Sequence, residues 1–160
     1  MHRLALLPIG MLLFVLPAAA QEPVGCDKFK WPLDKERALL ATASPAATDA
    51  QAVGAGYRIS LAADIALPMI PSRAPKPGTN LGFLRLAAPA EAGTYRVTLS
   101  DAAWVDVFQD GKALKSGAFS GAVGCTGVRK SVKFDFARAP LLVEISGATT
   151  STIAFVITPD

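Results

Sequence analysis

Alternation of apolar and polar residues dominates the chain from Tyr57 onward. In 57–61 every second residue is apolar, and in 94–100 Tyr95, Val97 and Leu99 alternate with polar neighbours. A period of two is typical of strands that bury one face. The same pattern predicts further strands at 82–87, 105–107, 113–114, 132–136, 141–145 and 153–157.

Turn residues separate these predicted strands. Asp110-Gly111 indicates a two-residue hairpin, because both central positions of such a turn favour positive φ. Four prolines in 67–78 predict an extended crossing between sheets with few ladder hydrogen bonds. At least seven short strands with turns at this spacing predict an all-β fold, either an antiparallel β-sandwich or a jelly roll.

The first part of the chain has a different pattern. Residues 1–20 combine a basic start, an apolar run and three alanines at the cleavage position, which is typical of a secretory signal peptide. Asp34 is expected to cap a short helix from Lys35 to about Ala43. The predicted units are a signal peptide (1–20), an N-terminal arm with one short helix and a loose loop (21–54), and a β-sandwich domain (55–160). This organisation predicts a periplasmic or secreted protein.

The cysteines and the histidine restrict the chemistry of the exported chain. Cleavage after Ala20 would remove His2, the only histidine. Cys26 and Cys125 are the only cysteines, and an oxidising compartment favours a disulfide between them. Because no histidine could activate a thiolate, a structural role is favoured over a redox or nucleophilic one. We expect no transition metal, haem or other cofactor.

The basic residues are scattered along the sequence. Removal of Arg3 with the signal would lower the formal charge from +3 to about +2. The nearest approach to a basic cluster comprises Lys28, Lys30, Arg129, Lys130 and Lys133. Nucleic-acid binding needs a denser basic face, so we do not expect it. No apolar run reaches the length of a membrane span. The oligomeric state is left open.

Three sequence patterns could indicate a catalytic, phosphate-binding or calcium-binding site, but each signal is of low specificity. Ser120 could pair with Lys115, Lys130 or Lys133, but it lacks the spacing of a nucleophile elbow. The glycine-rich run 121–127 lacks a Walker lysine and a following helix. The carboxylates Asp101, Asp106 and Asp110 follow no calcium-loop pattern. Turns and loops explain Ser120, the glycine-rich run, Asp101 and Asp110 better than a site does.

A more specific candidate is the segment around Asp106. An unpaired buried carboxylate is costly, so Asp106 should face outward while Val105 and Val107 face the core. A period of two then places Trp104 and Phe108 beside Asp106 on the outer face. This arrangement could form a platform for a sugar ring or an extended peptide. The alternative, which we favour, is that the disulfide-tied arm covers this face with Phe29 and Trp31.

Part of the chain resembles a known module. From Glu91 to Pro159 it carries the run 92–97 (Ala-Gly-Thr-Tyr-Arg-Val), the hairpin at 110–112 and a closing pair of strands. This stretch resembles the bacterial pre-peptidase C-terminal domain, which implies a secreted jelly roll. That module usually has two carboxylates in the strand that here contains only Asp106, and Cys125 is additional. The calcium and substrate contacts of that module are therefore not carried over to this chain.

The whole chain, from the run 26–31 (Cys-Asp-Lys-Phe-Lys-Trp) to the loop around Cys125, also resembles small exported bacterial proteins of unsettled function. Some of these carry a homogentisate 1,2-dioxygenase label. Enzymes of that family are far longer and bind iron through histidines and a carboxylate. Because the predicted mature chain has no histidine, the resemblance implies a shared fold and not that activity.

These observations favour an exported, non-enzymatic β-sandwich protein that binds a carbohydrate, an envelope polymer or a partner protein at Trp104, Asp106 and Phe108. One alternative is a hydrolase or lyase that uses Asp106 with a second carboxylate or a lysine. Another is an accessory or assembly protein whose exposed sheet edge pairs with a partner strand.

Overall fold

The computed structural model describes residues 21–47 and 50–160, so the signal-peptide prediction for 1–20 lies outside the described residues. A 3₁₀ turn at Cys26–Lys28 precedes helix α1, Asp34–Ala41. The strands are β1 Ser44–Pro45, β2 Gly56–Ser60, β3 Asn80–Leu86, β4 Gly93–Leu99, β5 Trp104–Gln109, β6 Lys112–Ala113, β7 Phe119–Gly121, β8 Lys130–Phe136, β9 Leu141–Ala148 and β10 Thr152–Pro159.

The strands form two sheets that pack face to face. One has six strands in the order β1-β2-β10-β4-β8-β7, and the other has four in the order β3-β9-β5-β6. All pairs within the sheets are antiparallel except β1 with β2. The prediction of an all-β sandwich is confirmed.

Alternating side chains of both sheets fill the core, as a period of two requires. Val97 and Leu99 enter it from β4, and Val105 and Val107 enter it from β5. Each of these four side chains is buried. The strands that alternate in sequence therefore bury the faces that their pattern predicted.

The hairpin between β5 and β6 turns at Asp110 and Gly111, whose φ angles are 49° and 72°. Gln109 pairs with Lys112 across the turn. Positive φ at both central residues is the geometry that matches the right-handed twist of hairpin strands. This confirms the hairpin prediction.

The arm packs on the outer face of the six-stranded sheet. A disulfide joins Cys26 to Cys125, and Phe29 and Trp31 pack against a second apolar cluster, which includes Val156 of β10. The disulfide prediction is therefore confirmed. The expectation that the arm covers Trp104 is wrong, because Trp104 lies on the other sheet.

The helix and the loop that follows it also differ from the prediction. Asp34 is the first residue of α1 and makes no capping hydrogen bond, and the helix ends at Ala41 rather than near Ala43. The loop is not wholly loose, because β1 pairs in parallel with β2. Sequence propensity located the helix but not its exact end, and it did not predict β1.

The proline-rich crossing connects β2 of one sheet to β3 of the other. Its first part, residues 67–73, is called the strap below. No strand forms within the strap. Met69 and Ser72 contact side chains on the outer face of the four-stranded sheet. Each sheet therefore has a cover on its outer face: the arm with helix α1 on the six-stranded sheet, and the strap on the four-stranded sheet.

Candidate functional site

The candidate site lies on the outer face of the four-stranded sheet. Strand register places Trp104 opposite Ser146, Asp106 opposite Glu144, and Phe108 opposite Leu142. Trp104, Asp106 and Phe108 share this face because alternate residues of a strand point the same way. The three predicted residues thus lie in one row along β5, and the strap crosses the row at its centre.

The strap holds Asp106. The Ser72 hydroxyl donates to Asp106 Oδ1 at 2.5 Å, and the Ser72 backbone N–H donates to Oδ2 at 3.3 Å. Trp104 Nε1 also donates to Oδ1, at 3.3 Å. Asp106 is only 8% exposed, so these bonds replace the water that a free carboxylate would need. Its oxygens are therefore committed to contacts within the protein.

Glu144 lies beside Asp106 and is more deeply buried, at 1% exposure. Its Oε1 accepts a 2.7 Å hydrogen bond from the Met69 N–H, and Oε2 has no partner among the described residues. Burial raises the pKa of Glu144; the Met69 hydrogen bond partly offsets this, and the nearby charge of Asp106 adds to it. The site thus contains a buried carboxyl that holds its proton more tightly than a free glutamate does.

Sequence analysis missed Glu144 and Ser72. Glu144 alternates with Val143 and Ile145 and could have been assigned to an outer face. Its pairing with Asp106 depends on the register between β5 and β9, which no local pattern specifies. Ser72 lies in a segment without periodicity, so no sequence signal places it near Asp106.

Trp104 remains partly exposed and lies close to two cations. The Arg73 guanidinium is 4.2 Å from the ring centroid, and Lys130 Nζ is 4.8 Å from it. Trp104 Nε1 also donates to Ser72 Oγ at 3.0 Å. Both cation distances are within the range of a cation–π interaction.

The surroundings of Lys130 shift the pKa of its ammonium group. Burial, followed by the positive charges of Arg73 and Arg129, lowers the pKa of Lys130, and Asp106 only partly opposes this. Lys130 Nζ donates to the Ala103 carbonyl at 3.3 Å. Arg73, Arg129 and Lys130 therefore lie close together at this edge of the sandwich, where Glu22 pairs with Arg129 at 2.6 Å.

An open groove of about 440 Å³ lies beside Lys130. Among the residues that line it are Ala102, Ala103, Phe119 and Arg129. Phe119 is 61% exposed, and Lys30 Nζ is 5.4 Å from its ring centroid. Together, Arg73, Trp104, Phe119 and Lys130 are called the cationic–aromatic surface below.

Phe108 lies on the opposite side of the strap from this surface. It is only 4% exposed and lines a separate groove of about 390 Å³ with Met69, Arg85 and Leu142. Trp104, Asp106 and Phe108 therefore do not form one open platform: Asp106 is covered, Phe108 is nearly buried, and only Trp104 remains accessible.

The weaker sequence candidates take part in structural contacts. Ser120 is buried, and its hydroxyl accepts a 2.9 Å hydrogen bond from the Lys30 N–H. Lys133 pairs with Asp160. Asp101 accepts from the Ser100 hydroxyl. In residues 21–47 and 50–160, no group of three or more His, Cys, Asp or Glu side chains could hold a metal ion.

Comparisons with known proteins give no relative for this fold. No family model, no curated protein and no solved structure matches the chain. Among the described residues, no helix has the length and apolar character needed to cross a membrane.

Proposed function

We propose that the protein is an exported, non-enzymatic binding protein for an anionic carbohydrate polymer of the cell envelope. The observation that carries this proposal is the pair of cations Arg73 and Lys130, which both lie over the partly exposed ring of Trp104. Cations bind the acidic substituents of such a polymer, and the nearby exposed ring of Phe119 can stack on the apolar face of a sugar.

The charges support an acidic ligand rather than a neutral one. Burial is the main cause that lowers the pKa of Lys130, and the positive charges of Arg73 and Arg129 lower it further, although Glu22 pairs with Arg129 at 2.6 Å. A carboxylate or phosphate group on the ligand would relieve this repulsion. The exposed Phe119 beside Lys30 extends the same alternation of rings and cations along the edge.

The contacts of Asp106 and Glu144 support a non-enzymatic function. A carboxylate pair could serve as acid and base in a hydrolase or lyase. Here Ser72, Trp104 and Met69 occupy three of the four carboxyl oxygens, and both side chains are buried. Their contacts are better suited to holding the strap than to reaching a substrate.

The test is binding to polygalacturonate, a carboxylate-bearing polymer, with neutral dextran as the comparison. Affinity electrophoresis should show retardation by polygalacturonate alone, and added salt should reduce it because exposed charges are screened. Phe119→Ala and Lys130→Gln should each weaken binding several-fold, since about 1 kcal/mol corresponds to a factor of five or more.

Two variants serve as matched controls. Ile70→Ala removes an exposed apolar side chain that is not part of the cationic–aromatic surface. Lys112→Gln removes an exposed cation on β6, at the far end of the β5–β6 hairpin from Trp104. Both controls should bind like the wild type. Equal binding to dextran, or equal losses in controls and test variants, would contradict the proposal.

A further inference from the structure

The strap connects the cationic–aromatic surface to the two buried carboxyls. Ser72 bonds Asp106 and also accepts from Trp104 Nε1, and the next residue, Arg73, lies over the Trp104 ring. Any movement of the strap away from the sheet would therefore change the surroundings of Trp104.

The other end of the strap depends on Glu144. The Met69 N–H donates to Glu144 Oε1, while Oε2 is buried without a partner. Asp106 lies directly opposite on β5. Two adjacent acidic groups in a buried setting repel each other when both are ionised. A proton on Glu144 removes that repulsion.

Three cations lie on the elements packed near Asp106 and Glu144. They are Arg73 from the strap, Arg85 from β3 and Lys130 from β8. The neighbours of Glu144 on the same face of β9, Leu142 and Ser146, are uncharged. No cation forms a salt bridge with Glu144 among the described residues, so its ionised form has only the Met69 N–H to stabilise it.

Strap position and proton binding are therefore linked. With the strap in place, Glu144 is out of water and its pKa is raised by burial. With the strap lifted, water reaches Glu144 and the ionised form becomes less costly. Because the closed arrangement binds the proton more tightly, protonation must favour closure by the same free energy.

We propose that the strap is a proton-controlled latch on the binding surface: protonated Glu144 keeps it closed, and loss of the proton loosens it and withdraws Ser72 and Arg73 from Trp104. Opening removes one of the two cations beside the ring, so binding of an acidic polymer weakens as the pH rises. Only this effect on binding rests on the proposed function. The latch itself is a property of the free chain.

The experiment is an NMR pH titration of the ¹⁵N-labelled protein without ligand, from pH 4 to 9. The two tryptophans give two indole N–H signals. Trp104 Nε1 bonds Ser72 and Asp106, whereas Trp31 Nε1 bonds Ser131 on the other sheet. The Trp104 signal should show a transition with its midpoint above the ordinary glutamate range, and any change caused by Lys130 should follow as a separate step at higher pH. The Trp31 signal should not follow it and serves as an internal control.

Glu144→Gln should abolish this transition and hold Trp104 at its low-pH position. Glu91→Gln, the same change at an exposed site, should leave the transition unchanged. In the wild type, exchange of the Met69 amide should rise with pH beyond the increase expected from base catalysis. A transition that persists in Glu144→Gln, or a wild-type Trp104 signal that does not titrate, would overturn the latch. Failure of polygalacturonate to bind would overturn only the proposed function.

Discussion

Ser72 donates twice to Asp106, through its hydroxyl at 2.5 Å and its backbone N–H at 3.3 Å. The two residues are 34 positions apart in the chain, so this contact is tertiary and not part of a local turn. It fixes a proline-rich segment that has no ladder hydrogen bonds of its own. Proline restricts the unfolded segment, so the segment loses less conformational entropy when it docks. A small number of hydrogen bonds is therefore enough to hold the strap in place.

Ser72→Ala should therefore destabilise the fold by about 1–2 kcal/mol. The change removes the hydroxyl that donates to Asp106 and accepts from Trp104 Nε1, and it leaves the buried carboxylate with fewer donors. Urea denaturation followed by circular dichroism measures the cost. Ser116→Ala, at an exposed position, should change stability by less than about 0.5 kcal/mol. Equal effects of the two substitutions would show that the strap contact adds nothing.

Because of Glu144, we expect the free energy of unfolding to decrease as the pH rises. Its pKa is raised in the folded state above the ordinary value of 4.5, so between these two pKa values the folded chain binds more protons than the unfolded chain. Its contribution to stability is greatest below that window and is lost as the pH rises through the folded pKa, at up to about 1.4 kcal/mol per pH unit.

The measurement is the free energy of unfolding of wild type and Glu144→Gln at several values between pH 4 and 8. The wild type should lose stability relative to the variant as the pH rises, because glutamine cannot ionise. Parallel curves would exclude Glu144 as the responsible group. Glu91→Gln again serves as a control, since its exposed carboxyl should produce no such difference.

The two faces of β5 could be predicted from the sequence. Because one face of the strand is buried, Val105 and Val107 must point into the core and Asp106 must point outward. The hairpin was also readable, because Asp110-Gly111 is chemically suited to its turn. Neither signal says what covers the outer face. The strap docks through a backbone N–H and one serine, which leave no periodic pattern.

The prediction that the arm covers the Trp104 face was wrong for a different reason. The disulfide was predictable from composition, and it ties the arm to Cys125, just ahead of β8. β8 and β5 belong to different sheets, but the sequence of alternating strands does not reveal which strands share a sheet. Phe29 and Trp31 were therefore correctly identified as covering residues and assigned to the wrong face.

Replacing Cys26 and Cys125 together by serine should cost up to about 4–5 kcal/mol, because the disulfide closes a loop with a sequence separation of 99. The loss acts mainly through the greater freedom of the unfolded chain. Urea denaturation of the double variant measures it, and the wild type under a reducing agent should shift to the same midpoint. A variant as stable as the oxidised wild type would show that the arm is held by packing alone.

The two tryptophans should contribute independently to stability. Trp31 packs in the arm cluster and donates to Ser131, while Trp104 contacts the strap and Lys130 on the other sheet. Because both rings are only partly buried, each change to alanine should cost up to about 3 kcal/mol, the low end for truncating an aromatic residue. With no shared partner, the double variant should equal the sum of the two within about 0.5 kcal/mol.

A second double-mutant cycle, between two residues that do contact each other, serves as the positive control for this test. Trp31→Ala and Ser131→Ala remove the two ends of one 3.3 Å hydrogen bond, so their effects should be non-additive by more than about 0.5 kcal/mol. Coupling in this pair together with additivity between Trp31 and Trp104 is the result expected when the arm and the strap cover opposite faces of the sandwich. Strong coupling between the two tryptophans would instead mean that the arm reaches the four-stranded sheet in solution, and the assignment of the strap as the cover of Asp106 would then be wrong.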